Sequence, residues 1–331
     1  MRAYTLTPGG GIDGIQRVEL PEPQPGPGDV LIRVRATSLN YRDLMLARRT
    51  RQAVIPLSDG AGDVIGVGEG VTRFRTGDRV VGCFFPAWPD GDVAPEYIRD
   101  ALGGSVDGML AEQVVLPAEA IVPQPHHLSA EEAATLPCAA VTAWNAMFVQ
   151  ARLRPGQTVL LLGTGGVSIA GLQLGRLAGL RTIITSSSDA KLARARALGA
   201  HAGVNYRARP DWDQAVLELT EGRGADLVLE VGGAGTFARS MAATRVGGDI
   251  VLIGGLAPAE EGSEPAPLVG RNIRATRIYV GSRRMFEDLN RALEVGEVHP
   301  VIDRVFDFAE AQEAYRFLES QQHFGKVVIR L

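Results

Sequence analysis

The stretch Thr158-Val159-Leu160-Leu161-Leu162-Gly163 is an apolar, partly β-branched run that passes directly into Gly163-Thr164-Gly165-Gly166-Val167-Ser168, and a helical pattern follows through Leu172, Leu174, Leu177 and Ala178. Strand, glycine turn and helix in that order bring backbone N–H groups and the positive end of a helix to one point. A pyrophosphate binds there, and only glycine lets the main chain approach it closely. Gly163, Gly165, Gly166 and Val167 are therefore candidate cofactor-binding residues. A second apolar strand, Arg181-Thr182-Ile183-Ile184-Thr185, ends at Ser186-Ser187-Ser188-Asp189-Ala190-Lys191, about 20 residues beyond the glycines, where such a unit meets the adenosine ribose. Ser186 heads that turn with no carboxylate before Asp189, and Ser187 and Lys191 can donate to phosphate oxygens. The predicted cofactor is accordingly NADP(H), with its 2′-phosphate in this turn. The competing reading of the same serines is a solvated, N-capped helix start. Ser168 stands where a third glycine would permit close helix–strand packing, which predicts a helix set slightly further from its strand.

The elements that position this site follow from the rest of the chain. At 331 residues, with 45% hydrophobic residues, 40 Gly and 19 Pro, the sequence predicts two domains of a loop-rich globular enzyme. The net charge is −4 with Arg scattered, which indicates neither a nucleic-acid partner nor an anionic membrane surface. Met1-Arg2-Ala3-Tyr4-Thr5-Leu6 has no apolar signal core, and no run approaches a membrane span, so a cytoplasmic location is expected. Only Cys83 and Cys138 are present, so neither a disulfide framework nor a four-cysteine zinc lobe is predicted.

Residues 1 to about 122 hold short Val/Ile/Leu strands punctuated by Gly and Pro, among them the alternating Asp29-Val30-Leu31-Ile32-Arg33-Val34-Arg35-Ala36, and predict an antiparallel β-barrel. From Ser129, helices alternate with buried strands at 159–163, 182–185, 203–206, 226–231, 249–253 and 277–281, the pattern of a doubly wound parallel sheet. The last helices and strands, including Gly325-Lys326-Val327-Val328-Ile329, are expected to return to the first domain. The predicted boundaries are 1–124 for the first part of the catalytic barrel, 125–272 for the dinucleotide domain and 273–331 for the return, with Pro123-Gln124-Pro125-His126-His127 as linker and its histidines solvated rather than metal-binding. The loop from Cys83 to Leu110 carries Phe84, Phe85, Trp88 and Tyr97, which suit either a flat apolar acceptor or simple anchoring.

A glycine-rich barrel, an inserted dinucleotide domain and a return to the barrel resemble the medium-chain dehydrogenase/reductase superfamily over the whole chain. Ala36-Thr37-Ser38-Leu39-Asn40-Tyr41-Arg42-Asp43-Leu44, Gly77-Asp78-Arg79-Val80 and Ala133 to Trp144 are the specific stretches, and they look most like the zinc-independent quinone oxidoreductase branch. The resemblance implies an α/β chain with a GroES-like β-barrel catalytic domain and a doubly wound, parallel-sheet Rossmann domain. Against its zinc-dependent members, the three catalytic ligand positions fall on Asn40, Ser58 and Cys138. One thiol with an amide and a hydroxyl is a poor zinc set, and no metal is expected. Without a Lewis acid, what remains is hydride delivery to a quinone or an α,β-unsaturated carbonyl. By resemblance, Asn40 and Thr142 sit near the nicotinamide, Lys191 and Tyr206 near the adenosine phosphate, and Val231, Ile253 and Val280 close over the dinucleotide, with Lys326 assigned to the cofactor as well. Tyr41 is the candidate proton or enolate hydrogen-bond donor and Asn40 its neighbour in the catalytic site. Asn40 could instead cap the helix that follows, and Asp43 pair with a neighbouring Arg. The alternatives are a carrier-linked enoyl reductase, a zinc-type alcohol dehydrogenase and a non-catalytic NADPH-binding protein. A homodimer joined at the edge strand 274–280 is expected by the same resemblance.

Overall fold

In the computed structural model, which describes residues 1–254 and 271–331, the chain divides into two compact units. Met1–Val141 with Val280–Leu331 forms one, and Thr142–Tyr279 forms the other. The segment 255–270 of the predicted dinucleotide domain lies outside the described residues.

The first unit opens with the antiparallel pair β1 (Arg2–Leu6) and β2 (Ile15–Glu19) and continues with β3 (Asp29–Leu39), α1 (Tyr41–Arg49), β4 (Asp59–Val67), β5 (Arg79–Gly82), α2 (Pro95–Ile98), β6 (Gln113–Pro117), β7 (Ile121–Pro123) and α3 (Ala130–Ala133). In β3 the alternation is realised: Val30, Ile32, Val34 and Ala36 are buried while Arg33 and Arg35 face solvent. β3 pairs antiparallel with β4 and β6.

α4 (Val141–Trp144) leads into the second unit, built of β8 (Thr158–Leu161), α5 (Gly166–Leu177), β9 (Arg181–Ser186), α6 (Asp189–Ala197), β10 (Ala202–Asn205), α7 (Trp212–Leu219), β11 (Ala225–Glu230), α8 (Ala234–Ala243), β12 (Thr244–Leu252) and β13 (Arg274–Arg277). The strands form one parallel sheet in the order β10-β9-β8-β11-β12-β13. β8 and β11 are wholly buried, as strands covered on both faces must be. The chain then returns to the barrel with α9 (Arg283–Val295), β14 (Ile302–Asp307), α10 (Ala311–Glu319) and β15 (Lys326–Arg330), and β15 pairs with β3.

Several boundaries differ from the sequence reading for identifiable reasons. Pro123 to His127 is not a free linker, because Pro123 ends β7, the Gln124 N–H donates to Arg79 O at 2.9 Å and Gln124 is buried. α3 packs on β3 and β4, so the barrel unit runs on to Val141. At the other end, β13 pairs with β12 and belongs to the parallel sheet, which moves the return from 273 to Val280. That strand stops at Arg277 instead of running to Gly281. Ser168 does not hold α5 off its strand: its hydroxyl donates to Leu162 O at 2.6 Å. The close approach lies further along the helix, where a Cβ at Gly171 would meet Leu161 Cδ2 at 2.9 Å and one at Gly175 would meet Thr182 Cγ2 at 2.7 Å.

Candidate functional site

In the barrel unit the candidate catalytic residues lie at the turn that follows β3. Asn40 is the N-cap of α1, and its backbone N–H donates to Asp43 Oδ2 at 2.6 Å. Asn40 and Asp43 form a capping box at the start of α1, and the Asn40 Oδ1 also accepts from Lys326 Nζ at 2.6 Å. That contact orients the amide, leaving Nδ2, which is buried and without a partner among the described residues. An orphaned buried donor costs about 1–3 kcal/mol unless a ligand atom satisfies it. Tyr41 opens α1, is 37% exposed, and its phenol has no protein hydrogen-bond partner among the described residues.

Lys326, at the start of β15, is the hub. Besides Asn40 its Nζ donates to Leu39 O at 2.7 Å and to Asp59 Oδ2 at 3.3 Å, so three donors meet three protein acceptors. The expectation put Lys326 on the cofactor; all its donors are instead engaged within the barrel. Asp59 is fully buried and also accepts from Ser58 Oγ at 2.8 Å, while Ser38 Oγ lies 3.2 Å from its Oδ2. Leu57, just before this pair, is buried with φ of 70°, a left-handed conformation that a side chain rarely adopts. The Gly103–Gly108 turn clamps it: a Cβ at Gly108 would stand 2.1 Å from Leu57 O. No periodicity in the sequence marks this strain, and Asp59 carried no signal beyond its place after Ser58.

Burial pushes the Asp43 carboxyl up to about 6, aided by Asp59 and opposed by Arg42, the Asn40 N–H and Lys326. Burial likewise holds the Cys138 thiol well above its ordinary value, with Asp59 adding to the effect. These facts test the metal directly. The amide oxygen of Asn40 faces an ammonium, Ser58 donates to a carboxylate and Cys138 is held as the neutral thiol, so the donor set does not fit zinc. Among the described residues no three His, Cys, Asp or Glu side chains converge as a metal site. Of the histidines in the 123–127 stretch, His126 is exposed and pairs with Glu294, whereas His127 is half-buried, its Nε2 3.1 Å from Val298 O.

Phe84, Phe85 and Trp88 are buried in a cluster of their own, and Arg42 on α1 lies over the Phe84 ring at 4.5 Å. These three aromatics anchor the 83–110 loop. Val280 packs against this cluster rather than ending a strand.

In the second unit, Gly163 has φ of 72° and its N–H donates to Thr185 Oγ1 at 3.0 Å. Gly165 is the N-cap of α5, no side chain caps it, and a Cβ at either glycine would meet nothing within 4 Å. Gly166 and Val167 form the first turn of α5, so the helix end is open to an anion, as a pyrophosphate requires. Ser186 ends β9, buried, and its Oγ accepts from the Ser188 N–H at 3.3 Å; Ser187 follows, half-buried. Ser188 caps α6, on which Lys191 sits. Tyr206 is exposed and its N–H donates to Ser186 O at 3.0 Å, which draws it to the same strand end. Arg207 beside it, also exposed, is a cation the sequence reading missed. Thr142 is buried in α4. Val231 and Ile253 follow β11 and β12 at the same edge of the sheet as Gly163, half-buried.

An alcohol dehydrogenase GroES-like domain profile matches residues 26–126 and a zinc-binding dehydrogenase profile matches residues 166–295. A zinc-type alcohol dehydrogenase-like protein of Schizosaccharomyces pombe is 43% identical over 97% of this chain and 96% of its own length. A crystal structure of an NAD-dependent alcohol dehydrogenase superposes with a TM-score of 0.91 at 36% identity, covering 100% of both chains. An acryloyl-coenzyme A reductase of Metallosphaera sedula is 28% identical over 96% of each chain. A nicotinamide-binding sheet joined to a GroES-like barrel defines an alcohol dehydrogenase-like oxidoreductase. The chain belongs to the medium-chain dehydrogenase/reductase superfamily, whose members use a nicotinamide cofactor. Its donor set nevertheless departs from the zinc in its relatives' names.

Proposed function

We propose that the chain transfers hydride from NADPH to a conjugated acceptor, a quinone or an α,β-unsaturated carbonyl, without a metal. The observation that carries this reading is Lys326 Nζ donating to Asn40 Oδ1, which engages the amide oxygen at one of the three positions a zinc ion would need as ligands, beside the Asp59 carboxylate that the same Nζ also meets. When bound, the reduced nicotinamide supplies the hydride. The first turn of α5 takes the pyrophosphate, and Ser186, Ser187, Lys191, Tyr206 and Arg207 surround the adenosine 2′-phosphate. Asn40 and Thr142 are assigned to the nicotinamide end, with Asn40 Nδ2 as a donor already oriented by Lys326, and Val231, Ile253 and Val280 to closing over the dinucleotide. Hydride adds to the conjugated carbon of the acceptor and its electron pair moves to the oxygen. Tyr41 O–H donates to that oxygen and recovers its proton from water. An enoyl thioester is the second acceptor this chemistry admits, favoured by the likeness to acryloyl-coenzyme A reductase.

Cofactor oxidation measured with quinones, simple enones, crotonyl-coenzyme A and an aldehyde, each with NADPH and NADH and with or without chelator, tests the reading. Turnover with conjugated acceptors, indifferent to chelator and favouring NADPH by about tenfold to a hundredfold, is expected. Efficient ethanol oxidation that chelator abolishes would restore the zinc reading. Tight NADPH binding with no turnover on any acceptor would leave a binding protein.

A further inference from the structure

Glu230 is the last residue of β11 and has no exposed surface. Its Oε1 accepts from the N–H groups of Gly232 at 2.7 Å and Gly233 at 2.9 Å and from Thr236 Oγ1 at 2.6 Å, and its Oε2 accepts from Ser240 Oγ. Among the described residues its four hydrogen-bond partners are all uncharged, so there the buried carboxylate is held by dipoles. Its backbone oxygen accepts from the Ile253 N–H at 2.9 Å, tying the ends of β11 and β12 together. The glycine backbone is required there, since a Cβ at Gly254 would stand 2.7 Å from Val231 O.

The place of this carboxylate gives it a further consequence. The strand order reverses between β8 and β11, and in open parallel sheets the ligand lies beyond the carboxyl ends of the strands at that point. With the pyrophosphate at α5 and the adenosine ribose over β9, the nicotinamide falls on the β11–β12 side. Reduced nicotinamide is neutral and the oxidised ring is a cation. We propose that Glu230 is a positioning residue that holds the Val231–Gly233 turn and whose buried negative charge favours the oxidised cofactor, making the bound reduced form a stronger hydride donor. This rests on the nicotinamide reading of the second unit and is independent of the acceptor.

Glu230→Gln isolates the charge. Its Oε1 can keep the bonds from Gly232, Gly233 and Thr236, and its Nε2 can donate to Ser240 Oγ, so the shape survives and only the Ser240 bond reverses direction. Dissociation constants of the oxidised and reduced cofactor, measured by fluorescence titration, provide the readout. Glu230→Gln is expected to weaken the oxidised form at least threefold relative to the reduced form. A tenfold change in that ratio corresponds to a rise of about 30 mV in the bound two-electron potential. Glu230→Asp, which keeps the charge with a shorter reach, should weaken both forms alike and preserve the ratio. If Glu230→Gln weakens both forms by the same factor, or if Glu230→Asp loses the ratio, the carboxylate is only a structural brace and the inference falls. Wild-type protein that binds neither form would overturn the nicotinamide reading itself.

Discussion

Two residues of α1 with opposite exposure divide the work of the barrel site. Tyr41, open at the helix start, is the group for which a conservative change isolates chemistry. Tyr41→Phe should lower enone turnover by about tenfold to a thousandfold, from the usual scale of general-acid and oxyanion contributions, and slow quinones less, because their reduced oxygen is the more stable anion. Steady-state rates on both acceptors check this, and equal turnover on the enone would make Tyr41 a wall residue. Asp43 lies beneath, buried, with Oδ1 unpartnered among the described residues. The unfolded chain releases this proton near 3.8 and the native chain near 6, so the native state binds the extra proton in between. Stability contributed by this group therefore falls as pH rises through that window, by about 3 kcal/mol. Asp43→Asn should gain on the wild type by about that amount between pH 4 and pH 7 in urea unfolding, and a pH-independent difference would refute the buried-acid assignment. Asn40 and Tyr41 were visible in the sequence through the run that carries the superfamily resemblance. The Lys326–Asp59 pair was not, because 267 residues separate its partners and the β15–β3 and β3–β4 ladders together bring them side by side.

At the scale of elements, α5 shows what a sequence pattern conveys and what it conceals. The glycine turn and the helix after it follow from chemistry local to a dozen residues. Where the helix touches the sheet depends on which side chains of β8, β9 and β11 lie beneath, and no local pattern records that. Ser168 was read as an obstacle, whereas its hydroxyl closes onto Leu162 O and the packing glycines are Gly171 and Gly175. Gly175→Ala sets a helix-propensity gain of up to about 1 kcal/mol against overpacking of about 1–3 kcal/mol on Thr182, whose β-branched side chain cannot turn away easily. Net destabilisation near 1 kcal/mol is expected. Ser168→Ala should lose a similar amount by leaving the Leu162 carbonyl without its donor. Thermal unfolding of both variants checks the pair, and a gain in stability at Gly175 would show that Thr182 yields to the added methyl group.

For the whole molecule, β13 is one of the two outer strands of the parallel sheet and, among the described residues, pairs with β12 alone. The edge position agrees with the sequence reading, although the strand is shorter than the 274–280 segment proposed for it. Along a strand, successive N–H groups point to opposite sides, so Ala275→Pro and Thr276→Pro differ in which ladder they break. If the chain dimerises through this edge, one of the two prolines should yield a folded monomer and the other an unstable sheet, with mass in solution measured by light scattering. Two folded dimers would place the interface elsewhere. Among the described residues no helix is long and apolar enough to cross a membrane. The domain order was readable from composition because antiparallel and parallel strands carry different hydrophobic patterns. The boundaries shifted because packing, and not chain direction, decides to which core a connecting segment belongs.

The two thiols acquire a meaning once the acceptor is considered as a reagent. Conjugated carbonyls and quinones alkylate thiolates, so on the proposed function the protein would be exposed to inactivation by the compounds it takes in. Burial raises Cys83 to about 12 and Cys138 higher still, and neither is engaged in a disulfide. Each stays in the protonated, unreactive form at neutral pH. On the proposed function, the raised thiols would give the chain chemical tolerance of the acceptor, with Cys83 buried and Cys138 half-buried, and prolonged incubation with an enone should leave its mass unchanged.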